Sequence, residues 1–228
     1  MGMLARHRQV AEIILNAASG YLVALGGGNA LLAHKVTDRP TQDIDVFFGK
    51  TADLAHATPA IEAALAAAGY GVVAIDKTGG LTDIWEDVGE GLAEWEVTTP
   101  DGQHVVQVQA GHFEVLAKPV RVRGIGPVLA LDDIAGHKAC AMASRAAARD
   151  FVDIAALQEY REKYRWARLI ELARQRDRGL ELADFADAVC HLDRMADGRF
   201  ATLLPQGRDA GWLRQHFRDW PRQASRRP

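Results

Sequence analysis

Cysteine is scarce: Cys140 and Cys190 are the two thiols in 228 residues, with no C-x-x-C pair and no histidines at ligand spacing beside them. That pattern argues against a structural zinc site and reads as two reduced core thiols. Long apolar runs are missing as well, since none approaches the roughly 20 residues needed to cross a bilayer. The N-terminal MGMLARHRQVAEIILNAASG carries its apolar residues at helical spacing and lacks the continuous core of a signal peptide. The expectation is a cytoplasmic protein with no membrane partner. An excess of charge of one sign is also absent, because the formal net charge is −3. Any nucleic-acid surface must then come from local clustering. Such clustering exists late in the chain, from Arg145 to Arg178 and again at Arg222, Arg226 and Arg227; it reads equally well as a solvated helical face.

What is present is ordinary for a folded chain: 48% hydrophobic and 25% charged residues. The length suits one large domain or a small catalytic domain followed by a helical one. Val10, Ile13, Ile14 and Ala17 recur at helical spacing up to Gly20. YLVAL (21–25) reads as a short buried strand, followed by Gly26-Gly27-Gly28 and a helix opening on that turn. DIDVFF (43–48) alternates Asp43, Asp45 and Phe47 against Ile44, Val46 and Phe48, the period of a strand whose two faces differ. An alanine-rich helix (52–68), a strand (71–75) and a hairpin from EWEVTT and HVVQVQA around Pro100-Asp101-Gly102 follow. From Leu131 onward glycine is scarce and apolar residues keep helical spacing. The fold class is therefore α/β (α+β): a mixed-sheet lobe over residues 1–127 and a helical lobe over 128–228.

Two carboxylates separated by one strand residue project from the same face about 7 Å apart along the chain, a separation suited to sharing hard cations. Asp43 and Asp45 are thus candidate metal ligands, with Mg2+ or Mn2+ the expected ion. A strand, a glycine turn and a helix place backbone N–H groups where phosphate oxygens can approach, and Asn29 adds a polar contact or caps the helix. Neither feature is specific alone; their order in the chain is more so.

These residues carry a resemblance. LGGGNALLAHKVTDRPTQDIDVFF resembles the GG-x-AL…R-x-[ST]-x-DID signature of the nucleotidyltransferase AbiEii/AbiGii toxin family, part of the polymerase-β-like superfamily that includes the MenT toxins. The match runs through Gly27, Gly28, Ala30, Leu31, Arg39, Thr41, Asp43 and Asp45. HKACAMASRAAARDFVDIAAL (137–157) is similar to a second block of that family through Lys138, Arg145, Arg149, Asp150, Asp153 and Ile154. The resemblance implies a polymerase-β-like lobe that binds a nucleoside triphosphate and moves its NMP unit to an acceptor. Asp43 and Asp45 hold the metal, Gly27, Gly28, Asn29, Arg39 and Thr41 bind nucleotide, and Lys138 and Arg145 meet phosphate. Asp150 or Asp153 supports the site. It also implies a tRNA 3′ end as acceptor and a cognate antitoxin as partner. On one continuous helix, Lys138, Arg145 and Arg149 would form a cationic stripe, or Arg149 would pair with Asp153 on a solvated face.

One departure stands out. Enzymes of that superfamily carry a third carboxylate on a later strand, where this chain has Gln107 and Gln109. An amide ligates a cation through oxygen but is no base at neutral pH, which leaves Glu94, Glu96, Asp150 and Asp153 as candidates for that role. Two rival readings keep the same residues: an antibiotic-modifying nucleotidyltransferase, and a non-catalytic descendant that binds nucleotide or a partner. Trp85 and Trp95 are candidates to stack a base or to fill the core, while His34, His104 and His112 read as packing or surface residues.

Overall fold

Alternation decides the central strand. Ile44, Val46 and Phe48 are fully buried, whereas Asp43, Asp45 and Phe47 are half-buried on the opposite face, so DIDVFF forms strand β2 (Asp43–Phe48). In this computed structural model, which describes residues 3–75, 92–112, 114 and 116–222, the chain divides into two compact units. One comprises Gly2–Ala33 with Pro40–Ala130, the other His34–Arg39 with Leu131–Pro228.

The first unit is a mixed sheet with helices. Its elements are α1 (Ala5–Ala17), β1 (Val23–Leu25), α2 (Gly27–Ala33), β2, α3 (Thr51–Ala67), β3 (Gly71–Ala74), β4 (Leu92–Thr98), β5 (Val105–His112), β6 (Val120–Val122) and β7 (Gly126–Val128). The strand order is β3-β4-β5-β2-β1-β7-β6. β2 runs parallel to β5 and antiparallel to β1, and β1 runs parallel to β7. The expected hairpin is present as β4 and β5, in register from Leu92↔Gly111 to Thr98↔Val105. Trp95, Val108 and Ile44 line up across three strands, and the Trp95 indole N–H donates to Glu62 of α3 at 2.8 Å. The apolar rows therefore face α3, and the acidic residues of β2 face away from it. The sequence boundary at residue 127 falls inside β7, and β6 and β7 were not expected. Each has three residues, too short for a periodic signal.

The helical unit contains α4 (Leu131–Arg145), α5 (Ala148–Tyr160), α6 (Trp166–Arg176), α7 (Leu182–Arg194) and α8 (Ala210–His216). Its core gathers Phe151, Phe185, Phe217 and Trp220, with the Phe151 and Phe217 rings edge-to-face at 5.5 Å. α4 and α6 approach closely at Gly136, where an added Cβ would lie 2.9 Å from the Leu172 carbonyl oxygen. The buried Arg176–Asp133 ion pair ties the same two helices.

The single helix expected across residues 138–149 is broken. Ala146 has φ +47, α4 ends at Arg145, and α5 starts afresh at Ala148. Lys138 and Arg149 thus sit on different helices, and the expected three-cation stripe does not form. Among the described residues no helix is long and apolar enough to cross a membrane.

Candidate active site

In the sheet unit the glycine turn and β2 are built around each other. Gly26 donates its N–H to the Asp45 carbonyl at 2.8 Å, and a Cβ on Gly26 would lie 2.2 Å from the Phe47 ring. Gly27 has φ +56, and a Cβ there would lie 1.7 Å from Asp45 Oδ2. The Asp45 carboxylate therefore occupies the space that any side chain at position 27 would need. Two successive side chains on the acidic face of β2 thus account for two of the three glycines.

Asn29, expected to bind nucleotide, is fully buried. Its Nδ2 donates to the Asp43 main-chain carbonyl at 2.7 Å, so it supports the acidic strand from inside. Thr41, just before β2, is 8% exposed and its hydroxyl has no hydrogen-bond partner.

The residues replacing the third carboxylate lie where the sequence placed them. Asp43 pairs in register with Gln107 and Asp45 with Gln109, and these in turn with Glu96 and Glu94 of β4. One sheet face thus carries two rows, Asp43–Gln107–Glu96 and Asp45–Gln109–Glu94. Gln107 donates through Nε2 to Glu96 at 3.0 Å. No group of three or more His, Cys, Asp or Glu side chains gathers into a metal site among the described residues. Two half-buried carboxylates still fit a magnesium ion, which commonly takes one or two protein carboxylates and completes its shell with water and phosphate oxygens.

The helical unit holds the second cluster. Asp153 is completely buried and receives the Arg39 guanidinium in a fork, Nε at 3.1 Å and the terminal nitrogen at 3.0 Å to Oδ1 and 3.1 Å to Oδ2. Lys138 Nζ lies 2.8 Å from Asp153 Oδ2. Burial opposes ionisation of this carboxyl, but the charges and hydrogen bonds of Lys138 and Arg39 outweigh it and hold it below the ordinary carboxylate range. Asp153 thus faces two cations at once. It is held by Arg39 and Lys138, both from outside its own helix. Asp150, also fully buried, accepts from Arg145 at 2.8 and 2.9 Å and from the Ala147 N–H at 3.2 Å, capping α5. Neither aspartate is exposed to receive a proton from a substrate, which removes both as candidate bases.

A match to the family described as "Nucleotidyl transferase AbiEii toxin, Type IV TA system" extends over residues 10–220. The chain belongs to the AbiEii nucleotidyl transferase toxin family. Solved structures agree on the fold. MenT4, a nucleotidyltransferase toxin from Mycobacterium tuberculosis H37Rv, superposes with a TM-score of 0.63 at 15% identity, over 94% of this chain and 82% of the other. JHP933 from Helicobacter pylori superposes with a TM-score of 0.60 at 16% identity, over 94% and 91%. Among curated proteins none matches the sequence.

Several cations of this AbiEii-family chain are already committed. Lys163 and Arg168 pair with Asp132, Arg165 with Glu162, Arg176 with Asp133 and Arg222 with Asp193. Part of the late arginine cluster is therefore paired at short range among the described residues, which weakens it as support for an RNA surface. Trp95 is 1% exposed and belongs to the core; Trp85 lies outside the described residues. Cys140 and Cys190 are free and half-buried, and burial pushes the Cys140 thiol up to about 11. Sequence reasoning missed His7, which is buried beside Asn29. Its spacing of three and seven residues from Val10 and Ile14 is the signal that places it on the inner stripe of α1.

Proposed function

We propose that this AbiEii-family toxin is a magnesium-dependent nucleotidyltransferase that moves NMP from an NTP to the 3′ end of tRNA, held in check by a cognate antitoxin. The observation that carries the chemistry is the pair of carboxylates on one face of the central strand, one of them seated on Gly27. The acceptor follows from the sequence resemblance to MenT toxins.

In this reading Asp43 and Asp45 hold the cation, with Mn2+ able to replace Mg2+. When bound, the ion neutralises triphosphate oxygens and helps hold the α-phosphorus in line. Gly27 and Gly28 admit phosphate close to the backbone, and Thr41 shapes that site from just before β2. By the resemblance, Lys138 and Arg39 contribute positive charge toward nucleotide phosphate, with Asp153 fixing both side chains. Arg145, half-exposed and braced by Asp150, supplies another. Asp150 and Asp153 are positioning residues. The acceptor hydroxyl oxygen bonds to the α-phosphorus, the bond to the bridging oxygen breaks, and pyrophosphate leaves with its electron pair. With Asp150 and Asp153 locked in ion pairs, Glu94 and Glu96 are the carboxylates of β4 that share the face of Asp43 and Asp45 and can receive the proton.

The test is incorporation of label from α-labelled NTPs into total tRNA. Wild type is expected to label it, and Asp43→Asn and Asp45→Asn are expected to lower incorporation by at least about a hundredfold, the scale of losing key charge stabilisation. Equal labelling by wild type and both variants would reject the assignment. Labelling of an aminoglycoside in place of tRNA would move the acceptor class, and nucleotide binding without pyrophosphate release would mark a non-catalytic descendant.

A further inference from the structure

His7 takes no part in that mechanism, and its surroundings are unusual. It sits in the first turn of α1 on the same stripe as Val10 and Ile14, where an aliphatic residue would satisfy the helix, yet it is 2% exposed. Its imidazole lies against the Asn29 side chain and within range of the Asp43 charge. Burial, with a smaller push from Arg6, lowers its basicity against the opposing pull of Asp43 and Asn29. The ring is therefore neutral near neutral pH and brings no charge to the site.

Among the described residues His7 Nδ1 and Asn29 Oδ1 are buried and meet no partner at full hydrogen-bond geometry, although the two side chains are near enough for Asn29 to act on the imidazole as a hydrogen-bonding group. The other end of the same Asn29 amide is committed to the Asp43 carbonyl at 2.7 Å. Leaving a buried polar atom unsatisfied costs about 1–3 kcal/mol.

We propose that His7 is a positioning residue for the acidic strand: its ring and the Asn29 amide oxygen join, directly or through one ordered water, so that α1 is tethered through Asn29 to the main chain of Asp43. The tether sets the height and tilt of β2 at the residue that opens the paired carboxylates. Outer-shell contacts of this kind orient metal-binding groups without touching the ion. The inference rests on the proposed metal role of Asp43 and Asp45, but the tether itself exists independently of that role.

Two measurements on the full chain separate the two claims. The first is Mn2+ binding without nucleotide, followed by electron paramagnetic resonance of the free ion, on wild type, His7→Phe, His7→Gln and Asp45→Asn. His7→Phe keeps a ring and removes the polar atoms, and is expected to weaken Mn2+ binding about tenfold, the lower end of outer-shell effects. His7→Gln restores a hydrogen-bonding group and is expected to recover most of that loss, which a simple packing role would not predict. The second is amide hydrogen exchange of the peptide containing Asp43–Phe48, expected to quicken in His7→Phe and to return toward wild type in His7→Gln. Should His7→Phe fail to fold by urea titration, His7→Leu takes its place in both. Unchanged exchange in the apolar variant overturns the tether, and so does faster exchange that His7→Gln does not slow. Unchanged Mn2+ affinity in that variant, with Asp45→Asn impaired, overturns its effect on the metal site. Mn2+ binding by Asp45→Asn equal to wild type would instead refute the metal reading, while the exchange data would still decide the tether.

Discussion

Replacing Asp153 by asparagine removes the buried anion that Arg39 and Lys138 both face and leaves the two cations against a neutral amide. Asp153 is completely buried, and Arg39 and Lys138 are 6% and 9% exposed, so water cannot take over the lost charge. Breaking a buried pair by removing one partner costs roughly 3–5 kcal/mol, a large part of the roughly 5–15 kcal/mol that holds a typical domain together. With a urea slope of about 2 kcal/mol/M, the Asp153→Asn midpoint should fall by about 2 M. Removing one of the stranded cations should return part of the loss, so Asp153→Asn with Lys138→Met is expected to unfold at higher urea than Asp153→Asn alone. The pH dependence has a defined sign. The folded-state carboxyl lies below its unfolded value near 3.9, so its contribution is complete above that value and is lost as pH falls through the folded one. Wild type should therefore lose more stability than Asp153→Asn on acidification below about pH 4. An Asp153→Asn midpoint within about 0.5 M of wild type, the equivalent of about 1 kcal/mol, would refute the charge accounting.

Gly27→Ala forces a side chain into both a positive φ and the space of the Asp45 carboxylate. It should cost about 1–2 kcal/mol for the backbone alone and displace Asp45, so Mn2+ binding should fall along with thermal stability; intact Mn2+ affinity would contradict the seating of Asp45 on Gly27. Gly136→Ala, in the other unit, should push α4 away from the Leu172 carbonyl and lower stability by about 1–3 kcal/mol, read as a drop in urea midpoint.

Much of the sheet was legible because its central strand declares itself. Asp43, Asp45 and Phe47 against Ile44, Val46 and Phe48 leave one register in which the apolar set is buried, and Pro100-Asp101-Gly102 marks the hairpin. The break between α4 and α5 was not legible. SRAAARD contains no glycine or proline, and its alanines favour helix; the stop is imposed by a buried Asp150 that caps the second helix and holds Arg145. The candidate site was legible in part. Asp43 and Asp45 could be found by spacing, since strand period alone puts them on one face. Arg39, Lys138 and Asp153 could be named by resemblance, but nothing local shows that residues 114 positions apart form one buried ion pair. For Asn29 the sequence left a polar contact or a helix cap open, and could not show that its side chain would reach the Asp43 main chain inside the unit.

The acid-bearing strand is fourth of seven: β5 pairs with its whole length, and β1 with its second half, Val46–Phe48. The Val46–Phe48 half has no free edge from which to fray, whereas the Asp43–Asp45 half leans on β5 and on the bonds from Gly26 and Asn29, and can loosen locally. On the metal role proposed for Asp43 and Asp45, a disturbance of the glycine turn would then blunt the site while most of the sheet still stood.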